Sequence, residues 1–188
     1  MNGVIVYLFG YAGCGKLTIA RALQAKYDCI LVDNHYINNV IFSLLDSDGN
    51  SKLPDQVWEQ VELIRSAVLN TIRHLSKPNR SFIFTNELLE GEPRAEKVFQ
   101  AIANVAKDRE AAFLPVRLTI SPQELARRVI SPGRAEHYKE TNPDQARKKA
   151  QERSVYKPRD IPYLEIDITT LSPDETAKMI LEEIHRNR

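Results

Sequence analysis

Residues 10–16 form the part of the sequence whose residue types and spacing most clearly suggest chemistry. They read Gly-Tyr-Ala-Gly-Cys-Gly-Lys and match the start of the phosphate-binding loop (P-loop) pattern. Glycines permit a tight loop whose backbone N–H groups point at phosphate oxygens, and the helix that follows adds its positive dipole end. The lysine supplies a mobile charge for the outer phosphates of a nucleotide. We therefore predict that nucleotide phosphates contact Gly10, Ala12, Gly13, Cys14, Gly15, Lys16, Leu17 and Thr18.

Position 17 departs from this pattern. A serine or threonine usually follows the lysine, and its hydroxyl reaches Mg²⁺. Here Leu17 has no ligand atom, and Thr18 comes one residue later. We expect the loop to keep its shape and the metal to rely on phosphates, water and carboxylates elsewhere. The departure therefore bears more on fast catalysis than on nucleotide binding.

Predicted strands and helices alternate along the whole chain. Runs of β-branched, aromatic and other apolar residues predict strands near residues 4–9, 29–32, 81–84, 113–120 and 163–168. Helical patterns lie between them, and capping boxes begin two helices, at residues 121–124 and 172–175. This alternation is typical of an α/β fold with a parallel sheet, in which ligands bind beyond the carboxyl ends of the strands. Because Gly10, Asp33, Glu87 and the segment from Arg127 to Arg134 all follow strands, we expect them to converge.

The composition limits the class of protein. The chain has 188 residues, which favours one domain spanning residues 1–188. A net charge of +1 gives no overall attraction to nucleic acid or to an anionic membrane, so we expect neither as a partner. Two cysteines are too few for a disulfide framework. Since we find neither a signal peptide nor an apolar run long enough to span a membrane, we expect a cytoplasmic protein.

The P-loop, Asp33, and the arginine segment of residues 125–129 with Arg134 together carry a resemblance to a known family. The chain resembles the small-molecule kinases of the nucleoside monophosphate kinase superfamily and looks closest to the shikimate and gluconate kinase group. The resemblance covers nearly the whole chain in the order of its elements, and the P-loop is its one specific motif. It implies a three-layer P-loop NTPase fold, with a five-stranded parallel sheet in the order 2-3-1-4-5 and a helical lid at about residues 127–152. It also implies transfer of the γ-phosphoryl group of ATP to a small-molecule acceptor, with Mg²⁺ as the metal.

The resemblance implies roles for polar residues that follow the second and third predicted strands. In these kinases an aspartate after the second strand binds or deprotonates the acceptor hydroxyl, and Asp33 matches that position; the alternative is a cap of the next helix. His35 is a candidate contact of the acceptor or simply an exposed histidine. Many P-loop proteins hold Mg²⁺ through water with an aspartate after the third strand, where this chain has Asn86 and Glu87. Asp33 and Glu87 are candidates for that metal, and Asn86 and Glu87 for the acceptor; a turn after the strand is the alternative for the latter two.

Arginines in the implied lid are the last group of candidates. In these kinases, lid arginines fold over the nucleotide and screen charge on the transferred group, so Arg127 and Arg134 become candidate catalytic residues and Arg128 a nucleotide contact. Arg127 and Arg128 point to different faces of a helix, and the sequence leaves open which one reaches ATP. A solvated charged helix is the alternative for this segment. Arg153 begins an Arg-x-x-Tyr pattern whose arginine, in shikimate-type kinases, can bind an acidic acceptor.

Two functions remain as hypotheses. The first is an ATP-dependent phosphotransferase acting on a nucleoside, nucleotide, sugar acid or antibiotic; residues 33–35 read Asp-Asn-His and not Asp-x-Asp, which argues against shikimate itself. The second is a catalytically weak or inactive nucleotide-binding protein that acts as a switch or sensor, a hypothesis favoured by Leu17. The neutral charge disfavours an enzyme that acts on nucleic acid. We expect a monomer or a homodimer.

Overall fold

A computed structural model of the chain describes residues 2–45, 53–130 and 142–186. Strands and helices alternate in it, as the sequence predicts. The elements in chain order are β1 (Val4–Phe9), α1 (Lys16–Gln24), β2 (Cys29–Asp33), α2 (Asn34–Phe42), α3 (Asp55–His74), β3 (Ser81–Asn86), α4 (Pro93–Asp108), β4 (Ala112–Thr119), α5 (Pro122–Val129), α6 (Pro143–Glu152), β5 (Leu164–Asp167) and α7 (Pro173–Arg186).

The strands form one parallel sheet in the order β2-β3-β1-β4-β5. This order confirms the α/β class and the sheet topology that the resemblance implies. Phe9 pairs with Asn86 on one side and with Arg117 on the other, while Asp33 pairs with Thr85. Because parallel strands all point the same way, the carboxyl ends of β1, β2 and β3 lie together at one edge of the sheet.

Strand β1 is covered on both faces. Tyr7 and Phe9 lie on one face, and each ring packs against Phe99 of α4 with a centroid distance of 5.8 Å. Val6 and Leu8 lie on the opposite face because side chains alternate along a strand, and they are buried as well. The apolar run without a polar face therefore marks a strand between two layers of helices, as in other parallel sheets.

The two predicted capping boxes differ in the structure. At the start of α7, Ser172 N donates to Glu175 Oε2 (2.8 Å) and Glu175 N donates to Ser172 Oγ (3.2 Å), so this box is complete. At the start of α5, Glu124 N donates to Ser121 Oγ (3.3 Å). However, Ser121 N donates to Thr169 Oγ1 (2.9 Å) and not to Glu124. The prediction for α5 is therefore half wrong, and the Glu124 carboxylate is available to bind other groups.

Helices α5 and α6 flank residues that the resemblance assigns to the lid. Helix α5 ends at Val129, α6 begins at Pro143, and the two helices pack against each other. Arg134 lies outside the described residues, so its catalytic role stays a prediction. Within the described ranges, no helix has the length and apolar character needed to cross a membrane.

Candidate active site

The P-loop makes the turn from β1 into α1, and steric constraints explain why three of its residues are glycine. Gly13 and Gly15 have φ angles of 87° and 109°, in the left-handed region that residues with a Cβ rarely adopt. A Cβ on Gly10 would lie 2.7 Å from the carbonyl oxygen of Leu118 in β4. The backbone thus needs glycine at all three positions, and turns of this kind direct successive N–H groups toward an anion.

The Lys16 ammonium lies over this loop. Its Nζ atom donates to the carbonyl oxygens of Gly10 (3.0 Å) and Tyr11 (2.7 Å) and lies 3.8 Å from Cys14 Sγ. Among the described residues it has no carboxylate within ion-pair distance. The positive charge of the lysine and the dipole of α1 therefore act together at the loop, which is an arrangement that attracts phosphate.

Glu87 connects the P-loop to α6. Its Oε1 atom accepts a hydrogen bond from Ala12 N (2.8 Å) and lies 3.6 Å from Lys149 Nζ. The side chains of Glu87 and Lys149 are 31% and 29% exposed, so this contact is partly shielded from water. The structure therefore brings Glu87 to the phosphate loop, as the sequence predicts for a residue that follows β3.

Arg128, and not Arg127, reaches the P-loop. Arg128 Nη1 donates to the carbonyl oxygen of Cys14 (2.8 Å), and its Nη2 donates to that of Ile168 (2.7 Å). The side chain is 20% exposed and thus mostly shielded. The Arg127 side chain is 73% exposed and contacts Glu124. Of the two neighbours, Arg128 is therefore the one that contacts the P-loop, and which of them reaches ATP stays a prediction.

Glu124 orients both arginines. Its carboxylate accepts hydrogen bonds from Nε and Nη2 of Arg127 and from Nε of Arg128, all at 2.7 Å. The two hydrogen bonds from Arg127, followed by the one from Arg128, lower the pKa of Glu124 from 4.5 to about 2. The carboxylate is therefore ionised at neutral pH and holds the Arg128 guanidinium, which also contacts the Cys14 carbonyl.

Asp33 is buried at the carboxyl end of β2, where it is 3% exposed. Its side chain makes no capping hydrogen bond to α2, although the residue occupies the N-cap position. Instead its Oδ1 atom accepts a hydrogen bond from Thr85 Oγ1 in β3, and the same hydroxyl oxygen accepts from Asn34 N (3.3 Å). The side chain is thus oriented by a neighbouring strand and not used as a helix cap.

A network of amide side chains adjoins Asp33. Asn34 Oδ1 accepts hydrogen bonds from Asn86 Nδ2 (2.8 Å) and from Arg65 Nη2 (3.2 Å), and Asn86 Oδ1 accepts from the Tyr7 hydroxyl (3.1 Å). Burial raises the pKa of Tyr7 above its usual range, so this hydroxyl stays a donor. The network fixes Asn86, a predicted acceptor contact, at the edge where β1, β2 and β3 end.

Arg65 is a site residue that sequence reasoning missed. It is 8% exposed on α3, where its Nη1 atom donates to Glu62 Oε2 (3.0 Å) and its Nη2 atom to Asn34. A signal was present in the sequence. Arg65 follows Val61 by four residues and precedes Leu69 by four, so a charged residue interrupts the apolar face of the helix. A guanidinium at such a position needs polar partners, and these lie at the site.

The remaining predicted residues lie near this edge with different partners. Arg153 Nη1 donates to Glu92 Oε1 (2.9 Å) and its Nη2 atom to the carbonyl oxygen of Glu90 (3.2 Å). The Arg153 carbonyl oxygen accepts from the Tyr11 hydroxyl of the P-loop (2.6 Å). The backbone of Arg153 is thus joined to the loop, while its guanidinium is turned toward glutamate. His35 is half-buried in the first turn of α2, directly after the Asp33 strand end.

No protein-family model matches the chain, and a search of curated proteins returns no match. Solved structures do match over nearly the full length. A sugar kinase from Janibacter sp. HTCC2649 is 15% identical, with a TM-score of 0.64 over 97% of this chain and 95% of that chain. A gluconokinase from Sinorhizobium meliloti 1021 is 15% identical, with a TM-score of 0.61 over 98% of this chain and 93% of that one.

A third match carries ligands. The Mycobacterium tuberculosis APS kinase in complex with AMPPNP and APS is 16% identical, with a TM-score of 0.58 over 98% of each chain. At these identities the likeness concerns the fold and not the substrate. The chain therefore has the α/β fold of the P-loop small-molecule kinases, which confirms at the level of the fold the resemblance stated from its sequence.

Proposed function

We propose that the chain is an ATP-dependent kinase that transfers the γ-phosphoryl group to a small-molecule acceptor. One observation carries this proposal: a phosphate loop with an ammonium group over it lies at the same sheet edge as a buried, oriented carboxylate. The ammonium belongs to Lys16 and the carboxylate to Asp33. Phosphoryl transfer needs mainly positioning and neutralisation of charge, and these two groups supply both.

The nucleotide half of the site is the P-loop with Arg128. The loop N–H groups and Lys16 would hold the β- and γ-phosphates, and Arg128 keeps the Cys14 carbonyl oriented. ATP is the proposed nucleotide because the fold is that of kinases, one of which was solved with AMPPNP. Arg128 is thus a positioning residue in this proposal.

The donor groups present fit a magnesium ion that is bound mainly by nucleotide and water. Within the described residues, no group of three or more His, Cys, Asp or Glu side chains could hold a metal by itself. Mg²⁺ commonly uses one or two carboxylates together with phosphates and several waters, and Asp33 and Glu87 are the carboxylates at the right edge. When bound, the ion would neutralise charge on the transferred group.

The acceptor half contains Asp33. In this proposal its carboxylate receives a hydrogen bond from the acceptor hydroxyl, orients that oxygen toward the γ-phosphorus and takes up its proton. The Thr85 hydroxyl holds one carboxylate oxygen, which limits rotation of the side chain. A buried carboxylate with a fixed orientation is suited to act on one hydroxyl of a bound acceptor.

Nucleotide binding without transfer is a second candidate function, and Leu17 favours it. An aliphatic side chain stands where a hydroxyl would reach Mg²⁺. A binder of this kind would show tight ATP binding and no turnover with any acceptor.

One experiment separates the two functions. ADP formation from Mg-ATP is measured alone and with pooled nucleosides, nucleotides, sugars, sugar acids and antibiotics, and ATP binding is measured separately by calorimetry. A kinase forms ADP faster with one pool than without acceptor. Asp33→Asn, which preserves shape, should then lower kcat about 100-fold or more while ATP binding changes less than about twofold.

Lys16→Ala provides the second arm, with exposed Lys107→Ala as the matched control. Lys16→Ala should lower kcat/KM about 100-fold or more, because it removes the charge nearest the outer phosphates. Lys107→Ala should match the wild type. Tight ATP binding with no turnover in any pool would refute the kinase function and leave the second candidate.

A further inference from the structure

Within the described residues, two arginines on the acceptor side of the site are already paired with glutamates. Arg65 Nη1 lies 3.0 Å from Glu62 Oε2, and the Arg65 side chain is 10% exposed. Arg153 Nη1 lies 2.9 Å from Glu92 Oε1. An acidic acceptor would have to displace a glutamate from a guanidinium before it gained an ion pair of its own. Asp33, which stays close by, would repel it.

Two side-chain amide oxygens of α2 are buried without a hydrogen-bond donor in the described part of the chain. Asn38 is 6% exposed on α2, and within the described part of the chain its buried Oδ1 atom meets no hydrogen-bond donor. Among the same residues, the Oδ1 atom of Asn39 is also buried and meets no hydrogen-bond donor. A buried carbonyl oxygen without a partner is rare in proteins and calls for a donor. A hydroxyl group of a bound acceptor would supply such a donor.

Asn38 lies on α2 between two residues of this helix that contact α3. One turn before it, Asn34 accepts a hydrogen bond from Arg65; one turn after it, Phe42 packs edge-on against Trp58 with centroids 5.5 Å apart. Asn34 and Asn38 share a helix face because they are four residues apart. The unpartnered oxygen of Asn38 therefore lies along the same seam as the amide network that leads to Asp33.

We propose that the acceptor is a hydroxyl-rich molecule without a carboxylate or phosphate group, and that it binds through Asp33 and Asn38. The inference rests on the proposed kinase function and narrows its substrate class. It favours sugars, polyols, nucleosides and neutral hydroxylated antibiotics as acceptors over sugar acids and nucleoside monophosphates.

The transfer that follows is balanced. An acceptor hydroxyl oxygen forms a bond to the γ-phosphorus of ATP while the bond from that phosphorus to the bridging oxygen of ADP breaks. The hydroxyl proton passes to the Asp33 carboxylate and from there to water. The products are ADP and a phosphorylated acceptor, which now carries the charge that the site disfavours and is therefore released.

The first test uses pairs of acceptors that differ by an acidic group: glucose with gluconate, xylitol with xylonate, and thymidine with thymidine monophosphate. ADP formation is measured for each at saturating Mg-ATP. We expect the active pair to show kcat/KM at least about 100-fold higher for the neutral member. Higher activity with the acidic member overturns the inference but leaves the kinase function standing. ATP binding with no turnover in any pair or pool overturns both.

Two substitutions test the residues that carry the inference. Glu62→Gln frees the Arg65 guanidinium and should raise kcat/KM for the acidic member of the active pair about tenfold. Glu59→Gln, on the exposed face of the same helix, is the matched control and should change nothing. If Glu62→Gln behaves like Glu59→Gln, the ion pair does not set the charge preference.

Asn38→Leu tests the amide. It should raise KM for the neutral acceptor about tenfold, with little change in ATP affinity. Because it removes an unpartnered buried oxygen, it should leave the melting temperature equal or higher, which separates a binding role from a structural one. Exposed Asn104→Leu is the control. An unchanged KM in Asn38→Leu removes Asn38 from the acceptor site.

Discussion

Replacing Arg128 with methionine tests how α5 supports the phosphate loop. Methionine keeps an unbranched side chain of similar reach and removes the guanidinium. Among contacts within the described residues, three hydrogen bonds are lost, to the carbonyl oxygens of Cys14 and Ile168 and to the carboxylate of Glu124. The neighbouring substitution Arg127→Met is a close control, because Arg127 shares the helix and the Glu124 partner but does not contact the loop.

The expected loss of stability follows from these contacts. A hydrogen bond from a charged donor contributes roughly 1.5–3 kcal/mol. The Arg128 side chain is 20% exposed, so water can replace part of each bond, and the lower figure applies to the two carbonyl contacts. The free energy of unfolding should therefore fall by about 3 kcal/mol, which lowers Tm by about 6–12 °C in a protein of this size. Arg127→Met removes an exposed ion pair and should lower the free energy of unfolding far less than Arg128→Met does.

The binding of ATP reports on the loop itself. Arg128 fixes the Cys14 carbonyl, and the adjoining N–H groups belong to the proposed phosphate cradle. We expect Arg128→Met to weaken ATP binding about tenfold, equivalent to about 1.4 kcal/mol, measured by calorimetry at a temperature where both variants are folded. Urea unfolding provides the stability comparison. Equal losses of unfolding free energy and equal ATP affinities in the two variants would refute the assignment of Arg128 as the loop's support.

Three further predictions concern other parts of the molecule. Because Arg127 and Arg128 lower the pKa of Glu124 from 4.5 to about 2, the stability that Glu124 contributes is complete above pH 4.5 and is lost as the pH falls toward 2. The difference in unfolding free energy between wild type and Glu124→Gln should thus be about 1–2 kcal/mol at pH 7 and near zero at about pH 2. The buried Arg109 guanidinium donates to carbonyl oxygens between residues 72 and 80. Arg109→Met should therefore lower the free energy of unfolding, measured with urea, by about 3 kcal/mol. The same substitution at a surface arginine should lower it by less than about 1 kcal/mol. Leu17→Ser restores a hydroxyl at the metal position of the P-loop and should lower the Mg²⁺ concentration that gives half-maximal ADP formation; an unchanged Mg²⁺ dependence would contradict that role for position 17.

The fold was predictable from the sequence because its signals are local. An apolar run without a polar face predicts strand β1, which is buried on both faces. The P-loop motif that follows it predicts a strand, a turn and a helix in that order. The strand order is not a local property. It came from the resemblance to kinases, and the sheet pairing confirms it.

The candidate site was predictable where residues follow strand ends, as Asp33, Asn86 and Glu87 do. The hydrogen-bond partners in the site were not predictable where one side chain has several possible partners. The capping-box pattern at the start of α5 predicts that Glu124 binds the Ser121 N–H, but two arginines one turn along the helix offer charge-assisted bonds, which are stronger. Arg65 was not predicted because its polar partners lie on other elements, and the apolar periodicity of α3 does not reveal them.

The distribution of paired and unpaired charge explains how one site can treat its two ligands differently. Among the described cations at this edge of the sheet, Arg65, Lys149 and Arg153 each have a glutamate partner, whereas Lys16 contacts only carbonyl and sulfur atoms. An anion can therefore bind at the loop without breaking an ion pair, but not on the acceptor side. An acidic acceptor would be drawn to Lys16 and would compete there with the phosphates of ATP. An uncharged acceptor would avoid that competition, so the paired arginines on the acceptor side and the unpaired Lys16 at the loop would together direct each ligand of the proposed kinase to its own half of the site.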